Sequence, residues 1–300
     1  MKTIRIIDRI TDIILEIILI AALLIGGYSL WDSKQVYEAA DASNYSAYRP
    51  EADDSLSFEE LRKINPEVFA WLTVNDTPID YPVAQADNNE KYINTNAEGQ
   101  YTLSGSIFLD YRNSPHFDDF NSIIYGHHME KKMMFGSLSD FADRAYFDAH
   151  PYGNLYFDGK NHGLEFFALI LTDAYDDDLL SPCSHGEEQR QKYLGHLFDK
   201  ASLKRDISVS DKDQIVLLST CTDAITNGRY VLAGKISSKL HLQEESKEQS
   251  KPVIRHLGKT ADFVSLLTSV PVWLWIALTA VLISMLLVSG RWRDQNNKRE

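Results

Sequence analysis

The chain has 300 residues, of which 44% are hydrophobic and 24% charged, and its formal net charge is −13 at pH 7. This acidic balance argues against nucleic acid as a partner, because phosphate binding calls for a basic face. Acidic runs such as Asp176 to Asp178 lack the regular spacing of a calcium loop, and the two cysteines lack further ligands at the spacing of a zinc site. We therefore expect no metal and no cofactor.

Two apolar segments near the ends of the chain have the length of membrane-spanning helices. Ile13 to Trp31 has Glu16 as its one charged residue, and Val270 to Val288 has no charge. A helix of about 20 such residues crosses a bilayer, although a buried core helix is the alternative for either segment. Basic residues flank both segments on their outer sides and predict two cytoplasmic termini with an extracellular domain between them. The first segment lacks a small-x-small cleavage site, which favours a retained anchor over a cleaved signal.

The pattern divides the chain into six regions. We expect a cytoplasmic stub with the N-terminal transmembrane anchor, a stalk or linker, an extracytoplasmic catalytic domain, a tether, a C-terminal transmembrane helix and a basic cytoplasmic tail. In that order they comprise residues 1–31, 32–57, 58–240, 241–269, 270–288 and 289–300.

Within the middle region, apolar spacing predicts helices over Phe58 to Leu72, broken at Pro66, and over Gly186 to Lys200, with a shorter one over Met133 to Phe141. Many short β-like runs separated by turn signals predict a mainly β barrel or sandwich. These runs are Ile79 to Val83, Ser106 to Leu109, Ser122 to Tyr125, Leu155 to Phe157, Glu165 to Thr172, Gln214 to Ser219 and Arg229 to Ile236.

A candidate nucleophile lies in the stretch IVLLSTCTDAITNGRYVLAGKI, which starts at Ile215. Strand, turn and strand are predicted, because Asn-Gly favours a turn between two β-rich runs. Cys221 then ends one strand and Arg229 opens its neighbour, so that thiol and guanidinium face one another. A nearby cation favours the nucleophilic thiolate, and the guanidinium fork can bind an oxyanion.

A histidine partner is predicted in the upstream stretch NSIIYGHHMEKKMMFG, which starts at Asn121. His127 follows a short strand and a glycine, and imidazole titrates near neutrality, as a general acid or base must. His128 is the rival and is expected to brace the loop. Asp223 could steer the histidine or the arginine, although a solvated turn carboxylate is the simpler interpretation.

The order YGHHM with MFG, then STCT, then GRYVLAGKI resembles the sortases, specifically class B, over Ser57 to Ser238. The resemblance implies a closed eight-stranded β-barrel with added N-terminal helices and a helix between the sixth and seventh strands. A C-terminal span departs from class B and is more usual in class C pilin-polymerising sortases. It favours pilus assembly over cell-wall anchoring.

The resemblance also implies a cysteine transpeptidase reaction. Cys221 would cleave the C-terminal sorting signal of secreted surface proteins or pilins, typically at a Thr-Gly or Thr-Asn bond, and form a thioacyl enzyme. His127 would transfer protons, and Arg229 would hold the substrate and its oxyanion. A peptidoglycan precursor or a pilin lysine would supply the accepting amine. Substrate-binding positions along the cleft would be Ser219, Thr220 and Thr222.

Three alternatives remain open on sequence alone. Cys183 and Cys221 could form a disulfide, since the domain is predicted to be extracellular. A membrane-bound cysteine protease would use the same thiol but deliver the acyl group to water. A non-catalytic adhesion or sensor module would need none of the three catalytic candidates.

Overall fold

A computed structural model describes residues 2–50, 56–182, 186–222 and 227–240, with Lys2, Thr3, Arg5, Asp8, Arg9, Cys221 and Thr222 described by their backbone alone. Of the described residues, those from 36 to 240 belong to one compact unit and those from 2 to 35 belong to another. The sequence predictions for Cys183, Asp223 and the C-terminal span at Val270 to Val288 fall outside the described residues.

The N-terminal region is a long apolar helix, α1, over Lys2–Ala40. Among the described residues it is the one helix long and apolar enough to cross a membrane. Its isoleucine and leucine side chains are exposed, as in Ile18 and Leu23. The predicted anchor at Ile13 to Trp31 lies within this helix, which supports the coarser expectation of one N-terminal span.

The unit that starts at residue 36 is built on a sheet that closes on itself. In the described part of the chain the strand order is β5-β1-β2-β3-β4-β8-β9-β6-β7, and β5 also pairs with β6. Eight strands therefore form a closed barrel, as predicted, and β7 is an additional edge strand on β6. The strands are β1 Val68–Val74, β2 Asp80–Ala84, β3 Ile107–Leu109, β4 Asn121–Tyr125, β5 Tyr152–Phe157, β6 Lys160–Asp173, β7 Ala201–Lys204, β8 Ile215–Thr222 and β9 Gly228–Ser237.

Among the residues that the structure describes, three further α-helices flank the barrel: α2 over Leu56–Ile64, α3 over Arg144–Ala149 and α4 over Glu187–Lys200. Short 3-10 helices cover Ala42–Tyr48, Lys91–Ile93, Glu130–Lys132 and Gly136–Ala142. The last of these overlaps the short helix predicted over Met133 to Phe141. Helix α4 confirms the helix predicted from Gly186 to Lys200, and its buried face includes Tyr193, Leu194 and Leu197.

The helix predicted over Phe58 to Leu72 is wrong in its second half. Helix α2 ends at Ile64, and Val68–Val74 is strand β1, paired with both β2 and β5. Nearly every side chain of β1 is buried, including Phe69's neighbours on both sides. A strand covered on both faces has no polar alternation, and its apolar residues can match helical spacing by chance.

Two apolar clusters hold the strand ends of the site in place. One includes Leu72, Ile124 and Leu218 of the barrel strands together with Phe58 of helix α2. The other lies between the outer face of β8, β6 and β9 and helix α4, with Leu217 and Leu197 fully buried. Because residues 215–220 of β8 are buried on both faces of the strand, packing holds this part of the strand in place.

Candidate active site

The sheet places Cys221 and Arg229 opposite one another. They are partners in the antiparallel register of β8 and β9, one position before the last pair, Thr222 with Gly228. Directly opposed residues in such a ladder have Cα atoms about 5 Å apart. The side chain of Arg229 is half-buried, so a guanidinium lies within reach of the backbone that carries the thiol.

His127 comes to the same end of the barrel. Strand β4 runs parallel to β8 with Tyr125 opposite Ser219, and the Gly126 amide donates to the Ser219 carbonyl at 3.2 Å. Parallel strands leave the sheet in the same direction, so the residues that follow Tyr125 and Ser219 lie side by side. His127 and Cys221 are each two positions beyond this pair.

The half-buried ring of His127 is held by one backbone group. Its Nε2 lies 2.8 Å from the Ile93 carbonyl oxygen. A carbonyl can only accept, so Nε2 carries a proton, and in the neutral ring Nδ1 is then the basic nitrogen. The His127 carbonyl accepts from the Phe135 amide at 3.0 Å, which fixes the loop after it.

The loop that follows His127 is strained and tied to distant segments. His128 is exposed, and its backbone pairs with that of Met134, whose φ is +50°. The Met134 amide donates to the buried Tyr81 hydroxyl at 3.1 Å, and this hydroxyl donates to the Ala40 carbonyl at 2.9 Å. Tyr81 thus joins the loop to the end of α1, while burial raises its pKa to about 12. Because the side chain of His128 is exposed, the expectation that it braces the loop stays a prediction.

The three positions predicted to bind substrate differ in their surroundings. Ser219 and Thr220 are 1% and 2% exposed. Their hydroxyl oxygens are buried and have no hydrogen-bond partner among the described residues. Thr222 is described by its backbone only. Substrate contact by these residues stays a prediction.

Sequence reasoning missed a buried carboxylate beside the site. Asp110 follows β3, is fully buried, and accepts from the Tyr125 hydroxyl at 3.2 Å and from Arg112 Nη2 at 2.8 Å. Burial alone would raise its pKa, but hydrogen bonds from Arg112 and Asn89 outweigh this and hold the pKa below its usual range. Burial and the negative charge of Asp110 raise the pKa of Tyr125, and the positive charges of Arg112 and Arg229 reduce this rise. The Asp-x-Arg spacing directly after a strand is the signal that could have found this pair.

Comparison with known proteins places the chain in a family, although no family model matches it. Listeria monocytogenes sortase B is 35% identical over 212 residues, which is 69% of this chain and 83% of the relative. The chain belongs to the class B sortases. It is therefore a cysteine transpeptidase that acts in surface-protein anchoring or pilus assembly, and it has the sortase barrel.

Two solved structures give the same result for this class B sortase. The sortase B from the type II pilus of Streptococcus pneumoniae is 46% identical, with a TM-score of 0.54, over 61% of this chain and 99% of its own. A Streptococcus pyogenes class B sortase involved in pilus biogenesis is 40% identical, with a TM-score of 0.55, over 61% of this chain and 98% of its own.

Substitution of Gly105 tests the support that Ile93 gives to His127. Gly105 has φ +59°, and a methyl group there would collide with the carbonyl oxygens of Tyr92 and Ile93. We expect Gly105→Ala to displace the Ile93 carbonyl and with it the imidazole. The expected loss of kcat for peptide transfer in this sortase is about 10- to 100-fold, the effect of a small misplacement of a reacting group.

Gly99→Ala is the matched control. Gly99 also has a positive φ, +83°, but a methyl group would meet nothing within 4 Å. It should lower the free energy of unfolding by about 1 kcal/mol through backbone strain and leave kcat unchanged. Equal kcat values for the two variants would show that the Ile93 carbonyl does not position His127.

Proposed function

We propose that this sortase polymerises pilin subunits, with Cys221 as nucleophile, His127 as acid and base, and Arg229 as oxyanion donor. The observation that carries the pilus assignment is the higher sequence identity of this chain to two solved pilus sortases than to the Listeria sortase B. It is 46% and 40% to the two solved pilus sortases and 35% to the Listeria sortase B. The charge-free apolar segment Val270 to Val288 also favours pilus assembly, because such a span is more usual in pilin-polymerising sortases.

In the first step the Cys221 thiolate attacks the carbonyl carbon of the threonine in the sorting signal. The carbonyl π electrons move to oxygen, and the Arg229 guanidinium stabilises this oxyanion. When the oxyanion collapses, the bond from the carbonyl carbon to the following nitrogen breaks. The protonated His127 gives its Nδ1 proton to that amine, which leaves with the rest of the signal, and a thioester remains on Cys221.

In the second step a lysine amine of the next pilin attacks the thioester carbon. His127 Nδ1 takes a proton from the amine, because an ammonium has no lone pair with which to attack. The Cys221 thiolate leaves, an amide joins the two subunits, and the enzyme returns to its starting state. Binding and orienting the amine gives it the high effective concentration that it needs to outcompete water.

The same proposal covers the placement of the protein in the cell membrane. Apolar spans at Ile13 to Trp31 and Val270 to Val288 would hold a catalytic domain of residues 58–240 outside the cell. Basic residues on the outer flank of each span favour two cytoplasmic termini. Reporter fusions at residue 50 and at residue 300 test this, and an extracellular C-terminus would contradict it.

The experiment is a competition between amines. The enzyme is supplied with a pilin that carries its sorting signal, and a second pilin lysine, a peptidoglycan-stem amine or no amine is added. We expect lysine to raise turnover and to give amide-linked multimers, identified by mass spectrometry of the cross-linked peptide. Transfer to the stem amine alone would indicate wall anchoring, and hydrolysed peptide at an unchanged rate in every reaction would indicate a protease.

A further inference from the structure

The buried carboxylate of Asp110 has hydrogen-bond partners on both of its oxygens. Asp110 Oδ1 accepts from the Arg112 amide and from Arg112 Nε, both at 2.9 Å. Its Oδ2 accepts from Arg112 Nη2 at 2.8 Å, Asn89 Nδ2 at 3.0 Å and the Tyr125 hydroxyl at 3.2 Å. A fully buried charge is stable only with such a set of partners. Asp110 and Arg112 therefore have one fixed arrangement.

Arg112 extends this arrangement to a second part of the chain. While it pairs with Asp110, its Nη2 also donates to the Leu180 carbonyl at 3.1 Å and its Nη1 to the Ser181 hydroxyl at 3.3 Å. Leu180 and Ser181 end the connection from β6 towards α4, named here the 174–182 segment. The guanidinium fork thus joins the end of β3 to this segment, which is distant in sequence.

The 174–182 segment starts beside the strand ends that carry the site. In the sheet, Thr172 is opposite Arg229 and Asp173 is opposite Gly228. The Ala174 amide then donates to the Asn227 carbonyl at 2.8 Å. Since Arg229 is in turn opposite Cys221, the segment starts two strands away from the nucleophile, on the side of Arg229.

Other contacts hold the segment from the side of the barrel and α4. The Tyr193 hydroxyl donates to the Leu179 carbonyl at 2.8 Å, and Asn121 Nδ2 donates to the Ser181 carbonyl at 3.0 Å. Asp176 accepts from Thr172 Oγ1 and lies 3.1 Å from His196 Nε2. Arg112 adds a charged contact from the loop that follows β3.

We propose that Asp110 and Arg112 are positioning residues for the sorting peptide: together they hold the 174–182 segment as a fixed wall of the cleft beside Cys221 and Arg229. The inference rests on the proposed function in one respect, that the sorting peptide occupies this cleft. If the 174–182 segment is already ordered in the free enzyme, the binding free energy of the peptide does not have to offset the entropic cost of ordering the segment. The pair therefore acts on the KM for the sorting peptide more than on kcat, because neither residue touches the reacting atoms.

Asp110→Asn is the first test. The substitution replaces one carboxylate oxygen by an NH₂ group. Whichever oxygen is replaced, the NH₂ group then faces the donors that this oxygen accepted from, and those hydrogen bonds are lost. We expect the KM for a sorting peptide to rise about tenfold or more, the effect of losing a charge-assisted hydrogen bond, while kcat stays within about twofold. Amide hydrogen exchange at Leu179 and Leu180, measured by mass spectrometry, should become faster in the same variant.

Arg112→Lys is the second variant and keeps the positive charge beside Asp110. An ammonium cannot donate at once to the carboxylate and to the 174–182 segment in the geometry of the fork. We expect the same rise in KM with a smaller fall in melting temperature, so this variant decides the outcome if Asp110→Asn fails to fold.

Asp148→Asn is the matched control, because Asp148 forms an exposed pair with Arg144 at 2.8 Å. Its KM should not change.

The inference and the proposed function fail in different ways. Wild-type KM and wild-type exchange in both variants would overturn the inference, as would an equal change in Asp148→Asn. A lower melting temperature with unchanged KM would show that the pair serves folding alone. Faster exchange in the variants of an enzyme that hydrolyses peptide without amine transfer would leave the fixed wall in place and contradict the proposed transpeptidation.

Discussion

Cys221→Ala is expected to abolish formation of the amide-linked product. The proposed route runs through a thioester on this sulfur, and alanine offers no nucleophile, so the loss of kcat should be on the order of 10⁴-fold or more. The measurement is the initial rate of peptide transfer to an amine at saturating substrate. Melting temperature should stay close to that of the wild type, because the side chain is small.

Cys183→Ser is the control for Cys221→Ala. It changes the other cysteine of the chain, and we expect it to keep most of the activity. A loss in both variants, together with a Cys183–Cys221 disulfide in the native protein, would contradict the assignment of Cys221 as a free nucleophile.

Arg229→Lys is expected to have the second largest effect, a loss of about 10²- to 10³-fold in kcat. Arg229 lies opposite Cys221 in the ladder. Lysine keeps the positive charge, but its compact ammonium group replaces the planar guanidinium. The ammonium cannot donate to the substrate and to its oxyanion at the same time in the guanidinium geometry. Single-turnover acylation by a sorting peptide is the measurement, since the oxyanion forms in that step.

Arg62→Lys is the control for Arg229→Lys. Arg62 forms an exposed pair with Glu59 at 2.9 Å on helix α2, and such surface pairs contribute little. Its acylation rate should equal that of the wild type. An Arg229→Lys enzyme with a wild-type acylation rate would show that the guanidinium takes no part in oxyanion binding.

The sequence predicted those strands whose pattern is visible locally. β4, β8 and β9 are runs of β-branched and aromatic residues that end at glycine or at a turn, so periodicity and turn chemistry were sufficient. β1 was missed because nearly all of its side chains are buried, which removes the polar alternation of a strand with one exposed face. β7 has only four residues and depends on its pairing with β6, a tertiary contact that no local pattern records.

In the candidate site, too, features with a local sequence pattern could be predicted, and features that depend on tertiary contacts could not. The order of motifs singled out His127, Cys221 and Arg229. The structure places Cys221 opposite Arg229 and His127 two residues after β4, at the same end of the barrel. Their catalytic roles stay predictions. The support around them was not visible, since Ile93 reaches His127 from another part of the chain and Arg112 meets Leu180 across the fold. Contacts of this kind depend on the closure of the barrel, so they appear only in the structure.

The most direct test of the central claim is to locate the acyl group on the enzyme. The protein is incubated with a sorting peptide in the absence of amine, quenched in acid, digested and analysed by mass spectrometry. The account predicts that the peptide containing Cys221 carries the acyl fragment as a thioester and that added lysine amine removes it with formation of an amide. Consumption of the sorting peptide while Cys221 stays unmodified, or an acyl group on another residue, would contradict it.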